Sequence, residues 1–171
     1  MKHSVVGLMG VILMVSTVAN AAPKLFSEPM CYTTKYDSTH LKEHPKQKVS
    51  QLWLMLKPSP EQASDSSPNS LARLFARFKS DSRLYGADSG YCSENADGTW
   101  RCGVECDGGG WNIRQLSDGN ILVKPEQWGI RVTSCGDEQM WRTISPKDDQ
   151  KVFQLAPASL AQCKKMESRW E

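Results

Sequence analysis

The stretch CGVECDGGGW, residues 102–111, holds two cysteines, two acids and three consecutive glycines. It could be a metal cage, a redox pair, a ligand-cradling loop or a tight corner between strands. Zinc cages use paired C-x-x-C spacing, and the C-x-x-x-C spacing here is one residue longer than that of redox pairs. A phosphate-cradling loop needs a helix after its glycines, whereas Trp111 begins a segment of strand-like composition. The stretch therefore predicts a corner, which Asp107 favours through its own side chain.

The segment that precedes this corner predicts a hairpin closed by a disulfide. Residues 96–98, Ala-Asp-Gly, suit a type I turn followed by a left-handed glycine. Asn95 then pairs with Thr99, and counting outward along the two strands sets Cys92 directly opposite Cys102. Opposed side chains at such a position approach closely enough for a disulfide. We therefore predict that Cys92 and Cys102 are bonded.

The N-terminus has the pattern of a secretory signal peptide. Lys2 is followed by an uncharged, mostly apolar run at residues 5–18 and then by Ala-Asn-Ala at residues 19–21, a small-x-small cleavage site. The apolar run is shorter than the roughly 18 to 20 residues that span a bilayer, and no other segment comes close. We predict a signal peptide at residues 1–21 and a mature chain, residues 22–171, that is periplasmic or secreted and has no transmembrane segment.

The other four cysteines also lie after the predicted cleavage site. An even number of cysteines in an exported chain indicates disulfides. Cys106 shares a strand face with Cys102, and its preferred partner is Cys135, which follows another predicted strand. Cys31 and Cys163 would then tie the first mature segment to the last. Closing so long a loop restricts the unfolded chain and so stabilises the fold in the chain-entropy model.

Turn signals and strand-like runs alternate along the mature chain. Gly-containing turns separate short runs rich in aromatic and β-branched residues, which lie at residues 99–104, 111–116, 121–123, 128–133 and 152–155. Residues 49–56, VSQLWLML, are almost continuously apolar, as in a strand buried on both faces. The predicted fold is one mainly β domain, an antiparallel meander that forms a small barrel or sandwich, stapled by disulfides and with a short N-terminal helix.

The segment after the first apolar strand contains a predicted loop and an ambiguous element. Residues 57–69 are rich in Pro, Ser and Asp and predict a long mobile loop. Residues 71–79, LARLFARFK, fit both a helical stripe and strand alternation. Propensity favours a helix, whereas the surrounding strands favour a strand, and we adopt the strand.

The segment YDSTHLKEHP, residues 36–45, is the one with enzyme-like residues. His40, Glu43 and His44 match H-x-x-E-H and resemble the zinc-binding helix of inverted zincins, in which the glutamate is the base. The match covers five residues only, in a far smaller chain, and a proline follows it directly. The alternative, which we favour, is a short surface helix capped by an Asp or Ser at residues 37–38 and ended by the proline.

Other features give little support to catalysis or to nucleic-acid binding. The chain has no Gly-x-Ser-x-Gly elbow, and disulfide pairing leaves no thiol nucleophile. Removal of Lys2 leaves a nearly neutral chain, which gives a nucleic-acid partner no electrostatic support. We predict a protein that is not an enzyme and has no cofactor, with a zinc-dependent hydrolase as the alternative.

The six tryptophans are many for a chain of this length. Exposed tryptophans can stack on sugars or anchor a protein partner, whereas buried ones belong to the core. Trp100 and Trp111 flank the glycine corner, and together with Asp107 they are the predicted binding residues.

The order of four motifs carries a resemblance to other proteins. YDSTHLKEHP, CGVECDGGG, GIRVTSCG and DDQKVFQL follow one another between Cys31 and Cys163, and this order resembles a group of uncharacterised exported, periplasmic proteins of Gram-negative bacteria. The resemblance implies location and no functional residues. We expect a small binding protein of the bacterial envelope whose partner is an envelope protein or a glycan, by analogy of size and architecture with small periplasmic inhibitors of lysozyme. A purely structural envelope protein is a further alternative.

Overall fold

A computed structural model describes residues 23–58, 70–89, 91–104, 106–134, 137–147 and 151–171. The predicted signal peptide and all but the first two residues of the predicted loop 57–69 lie outside these ranges. The elements in chain order are β1 (Met30–Lys35), α1 (Ser38–Glu43), β2 (Val49–Lys57), β3 (Leu71–Phe78), β4 (Asp81–Asp88), β5 (Tyr91–Glu94), β6 (Trp100–Gly103), β7 (Gly109–Gln115), β8 (Ile121–Ser134), β9 (Asp137–Ile144), β10 (Phe153–Ala158) and α2 (Leu160–Trp170).

The strands form one antiparallel sheet that closes on itself. Neighbours follow the order β10, β1, β2, β3, β4, β8, and β10 also pairs with β8, which completes a ring. On the other side of β8 the sheet continues through β7, β6 and β5, and an isolated bridge between Ser70 and Cys92 joins β5 to the start of β3. The mainly β, antiparallel, barrel-like fold and the short N-terminal helix predicted from the sequence are confirmed.

The interior of the barrel is filled by alternate residues of its strands. Leu52, Leu54 and Leu56 of β2 are buried in the main core cluster. Trp53 and Met55, on the opposite face of the same strand, are buried in a second cluster beneath α2. Because both faces of β2 are covered, its sequence needs no polar alternation. The prediction of a strand buried on both faces is confirmed.

The ambiguous segment at residues 71–79 is strand β3. Ala72, Leu74 and Ala76 point into the barrel core, and Phe75 is buried on the outer face under α2. Because apolar residues lie on both faces of this strand, its sequence does not alternate strictly between apolar and polar residues. The segment therefore also fits a helical pattern. The surrounding strands outweigh the helix propensity of Leu, Ala and Arg.

Helix α2 covers the outside of the barrel. Cys163 and Met166 are its buried residues, and they pack in the outer cluster with Trp53, Met55 and Phe75. The disulfide between Cys31 and Cys163 fixes the helix to β1, as predicted. Within the described ranges, neither helix has the length and apolar character needed to cross a bilayer.

Ion pairs also hold α2 against the barrel, and they centre on Glu167. Its Oε1 accepts from Lys57 Nζ at 2.7 Å and also pairs with Arg73. Burial of the carboxylate raises its pKa, but the hydrogen bond from Lys57 and the charges of Lys57 and Arg73 lower it more. The pKa of Glu167 therefore lies below its ordinary value of 4.5.

We expect this carboxylate to make stability depend on pH in acid. Because the folded-state pKa is lowered, the contribution is fully present above the unfolded pKa and is lost as the pH falls through the folded pKa. Glu167→Gln should lower the free energy of unfolding by about 1 to 2 kcal/mol at pH 7, and the difference from wild type should shrink as the pH falls below 4.5 and through the folded-state pKa. Urea titrations at pH 7 and at a series of acidic pH values measure it. Glu171→Gln is the matched control, since this exposed residue pairs with the same Arg73; equal losses for both variants would contradict the expectation.

The predicted hairpin is confirmed in detail. Asn95 N donates to Thr99 O at 2.7 Å, and Gly98 has the left-handed φ of 76° that the turn requires. Cys92 lies opposite Cys102, and the two form a disulfide.

The stretch CGVECDGGGW is the predicted corner. β6 ends at Gly103 and β7 begins at Gly109, and Val104 N donates to Gly109 O at 2.9 Å. Cys106 lies in this corner, is exposed and carries a free thiol. The predicted disulfide from Cys106 is therefore not formed in the structure, and its proposed partner, Cys135, lies outside the described residues.

One strand differs from its prediction. Residues 121–123 and 128–133 were predicted as separate strands, but they belong to a single strand, β8, of 14 residues. Gly129 has a φ of 79° and the pairing with β7 shifts between Gly109 and Trp111, so β8 bends there rather than ending. Before the bend β8 pairs with β7 and β10, and after it with β4 and β9, while Gly109 at the start of β7 still pairs with Ile130.

Candidate ligand-binding cleft

The structure corrects the predicted aromatic surface at the glycine corner. Trp111 is 0% exposed and Trp100 is 7% exposed, and both belong to the main core cluster. Trp100 packs against Phe26 with ring centroids 4.3 Å apart. The physical reason is strand alternation: Trp100 shares a face with Cys102, whose sulfur is buried, and Trp111 lies opposite Cys102 in the next strand. Of the predicted binding residues, Asp107 is on the surface.

Two other tryptophans are exposed. The side chain of Trp128 is 77% exposed, and that of Trp141 is 53% exposed. Trp128 stands next to the bend of β8, where Gln127 and Trp128 are both exposed in succession. The bend interrupts the alternation of inward and outward residues, and Trp128 projects into solvent as a result. A large apolar ring this exposed marks a candidate contact surface when others lie nearby.

A cleft of about 610 Å³ lies beside Trp128 and is called here the β6–β8 cleft. The strands β5, β6 and β8 and the corner before β7 supply its walls. Its lining residues are Tyr91, Arg101, Gly103, Val104, Cys106, Asp107, Gly109, Glu126, Trp128 and Arg131. The cleft thus combines exposed aromatic rings with charged groups, which is the composition of many ligand sites.

One wall of the cleft is a fixed network of charged groups. Arg101 donates through Nε to Glu126 Oε1 at 2.6 Å and through Nη2 to Glu126 Oε2 at 3.2 Å. Its Nη1 donates to Tyr91 Oη at 3.0 Å. The hydrogen bonds that Arg101 donates to Glu126 and Tyr91 hold the pKa of Arg101 well above its ordinary value. A two-pronged Arg–carboxylate pair is rigid and neutral as a unit, so this wall offers shape and hydrogen bonds rather than net charge.

The side chain of Arg131, unlike that of Arg101, lies over an aromatic ring. Its guanidinium carbon lies 4.8 Å from the centroid of the Trp141 ring, and its backbone N donates to Gly108 O at 2.9 Å. Trp141 lies two residues from Thr143, the partner of Arg131 in β9, so the two side chains are diagonal neighbours on one face. No carboxylate among the described residues lies within ion-pair distance of Arg131. Its stacking on Trp141 orders the cation without neutralising it.

Trp141 extends the surface beyond the cleft. It also lines a neighbouring cleft of about 510 Å³ with Phe78, Lys79 and Arg142. The cations there are engaged by the fold, since Arg142 pairs with Asp81 at 3.5 Å and Lys79 donates to a backbone carbonyl at 2.6 Å. The β6–β8 cleft is therefore the better candidate site.

The segment with the zinc-like motif forms the capped helix α1. The backbone N of His40 donates to the side chain of Asp37, the N-cap, at 2.8 Å. The ring of His40 stacks on Tyr36 and lies 4.3 Å from the ring of His44, and its Nε2 is 3.0 Å from Gln47 Oε1. In the part of the chain that the structure describes, no three His, Cys, Asp or Glu side chains are grouped so that they could hold a metal ion.

Comparisons with known proteins add no family to this description. No protein-family model, no curated protein and no solved structure matches the chain. The function proposed below therefore depends on the geometry of the cleft.

Proposed function

We propose that this chain is an exported binding protein of the bacterial envelope and that it binds its ligand in the β6–β8 cleft. The observation that carries the proposal is the exposure of two tryptophans close to Arg131: Trp128 lines the cleft together with Arg131, and Arg131 lies over the ring of Trp141. Such rings lose contact with water only when a ligand covers them.

The residue types in the cleft support binding over a purely structural role. Trp, Tyr and Arg are the residues that contribute most at protein interfaces, and aromatic faces also stack on sugar rings. Hydrogen bonds tie the walls together, because Arg101 donates to both Glu126 and Tyr91 before any ligand arrives. A rigid site spends little free energy on ordering when it binds.

Export rests on two separate supports. The two disulfides fit an oxidising compartment, since cytosolic proteins rarely keep such bonds. The pattern at residues 1–21 is that of a cleaved signal peptide. Both point to the periplasm or the cell exterior, where envelope proteins and glycans are the available ligands.

The test compares two variants of the purified mature protein against two probes. Isolated peptidoglycan represents the glycans, and lysozyme represents the protein partners. Wild type should bind one of the probes, and Trp128→Ala should weaken that binding at least about tenfold without changing the melting temperature. Val152→Ala is the matched control, because it also removes an exposed apolar side chain but lies outside the cleft. Binding that Trp128→Ala leaves unchanged, or no binding to either probe, would refute the proposal.

A further inference from the structure

We infer that the β6–β8 cleft binds an acidic saccharide, with Arg131 binding the sugar carboxylate and Trp128 stacking on the sugar ring. The inference rests on the proposed function and names the chemical class of the ligand. It follows from the charges that the fold leaves unmatched in the cleft and from the geometry of the exposed rings.

Some of the charged groups that line the cleft have ion-pair partners and others have none among the described residues. Arg101 and Glu126 neutralise each other through two hydrogen bonds. Arg131 and Asp107 remain, and neither forms an ion pair with another described residue. Among the described lining residues, one guanidinium and one carboxylate are therefore left for a ligand. An anionic group suits Arg131, and hydrogen-bond donors suit Asp107.

Arg131 can present its guanidinium to a ligand. The guanidinium carbon lies over the Trp141 ring, and the residue is exposed. Two parallel N–H groups on one edge match the two oxygens of a carboxylate. None of these N–H groups donates to a described residue, so a ligand displaces no protein partner when it binds there.

An acidic saccharide fits the cleft better than an acidic peptide does. Asp107 lines the same cleft as Arg131 and needs hydrogen-bond donors, which the ionised side chains of an acidic peptide do not supply. A sugar acid carries one carboxylate per ring together with several hydroxyl donors, which Asp107 can accept. The apolar face of the same ring can lie on the exposed indole of Trp128.

The experiment titrates the purified mature protein by calorimetry with matched probes. The probes are an oligomer of galacturonic acid, its methyl ester, which has the same rings without charge, and a peptide of glutamates of similar length. We expect the acidic oligomer to bind at least about tenfold more tightly than its ester and than the peptide. Arg131→Gln should abolish the preference for acid over ester, and Arg131→Lys should retain part of it because the charge remains.

The control is Arg114→Gln, which removes an exposed arginine of β7 that pairs with Asp97 outside the cleft. It should leave all three affinities unchanged. Equal affinity for acid and ester would overturn the inference and leave the proposed function standing, and so would Arg131-dependent binding of the peptide in preference to the oligomer. Binding of lysozyme or peptidoglycan that depends on Trp128, with no binding of the acidic oligomer, would likewise overturn only the inference. Absence of binding to every probe would overturn both.

Discussion

Replacing Trp111 with alanine is expected to lower the free energy of unfolding by about 3 to 5 kcal/mol. Trp111 is among the largest fully buried side chains of the described barrel and lies between Cys102 of β6 and Pro125 of β8. Its removal takes apolar surface out of the core and leaves a cavity that neighbouring strands cannot close, because their hydrogen bonds fix their spacing. Urea denaturation, followed by circular dichroism, measures the loss.

Trp111→Phe is the matched control for this variant. The indole N–H of Trp111 is buried and has no hydrogen-bond partner among the described residues. A phenylalanine keeps one ring in place and removes this unsatisfied donor, which offsets part of the cavity cost. We expect a loss well below that of the alanine variant. A folded Trp111→Ala protein of nearly wild-type stability that had lost its ligand would show that Trp111 belongs to a binding surface after all.

Trp111 and Trp128 differ in how far their surroundings could be predicted from local sequence. The hairpin could be predicted because its turn residues fix the register over ten residues, and the disulfide of Cys92 followed from that register. The same register also indicates which way Trp100 faces. Trp100 is two residues from Cys102 and so shares its face, and a disulfide that bridges strands inside a barrel faces the core. The interior position of Trp100 could therefore have been predicted.

The exposure of Trp128 could not have been found in the same way. It depends on the bend of β8, and the bend depends on which strands lie on either side before and after Gly129. Two of those partners, β4 and β10, are distant in sequence. The closure of the barrel through β10 is a long-range feature of the same kind, because β10 pairs with both β1 and β8. No local pattern records it.

Helix α2 is an intermediate case. Cys163, Met166 and Trp170 recur at helical spacing in LAQCKKMESRW, so the helix was predictable although the sequence analysis did not identify it. Its position was not predictable. Trp170 Nε1 donates to Thr133 O at 2.9 Å, and its ring lies where a Cβ on Gly86 would be only 2.6 Å away. The Trp170 ring fits in this position because Gly86 has no side chain.

The zinc-like motif shows why a short pattern needs its surroundings. His40 and His44 are one helical turn apart, as the motif requires, but α1 has six residues and no buried ones. His40 is engaged by Tyr36 and Gln47. The same residue types thus form a capped surface helix.

Removal of the disulfide between Cys31 and Cys163 is expected to cost more stability than removal of the one between Cys92 and Cys102. The two bonds join residues 132 and 10 positions apart. In the chain-entropy model the longer loop stabilises the fold by about 5 kcal/mol and the shorter by about 3 kcal/mol, because the longer one restricts more of the unfolded chain. The longer bond also anchors α2, so its loss weakens the outer cluster.

The measurement compares two double variants, Cys31→Ala with Cys163→Ala and Cys92→Ala with Cys102→Ala, by urea denaturation under conditions that keep the other bond oxidised. Changing both cysteines of a pair adds no new free thiol that could exchange with the remaining disulfide, and the free thiol of Cys106 is common to both variants. The first variant should unfold at a clearly lower urea concentration than the second, and Trp170 should become more accessible to a fluorescence quencher because α2 loosens. An equal or larger loss for the short hairpin bond would mean that unfolded-chain entropy is not what the long bond supplies, and that strain or packing at the hairpin governs the stability of this barrel instead.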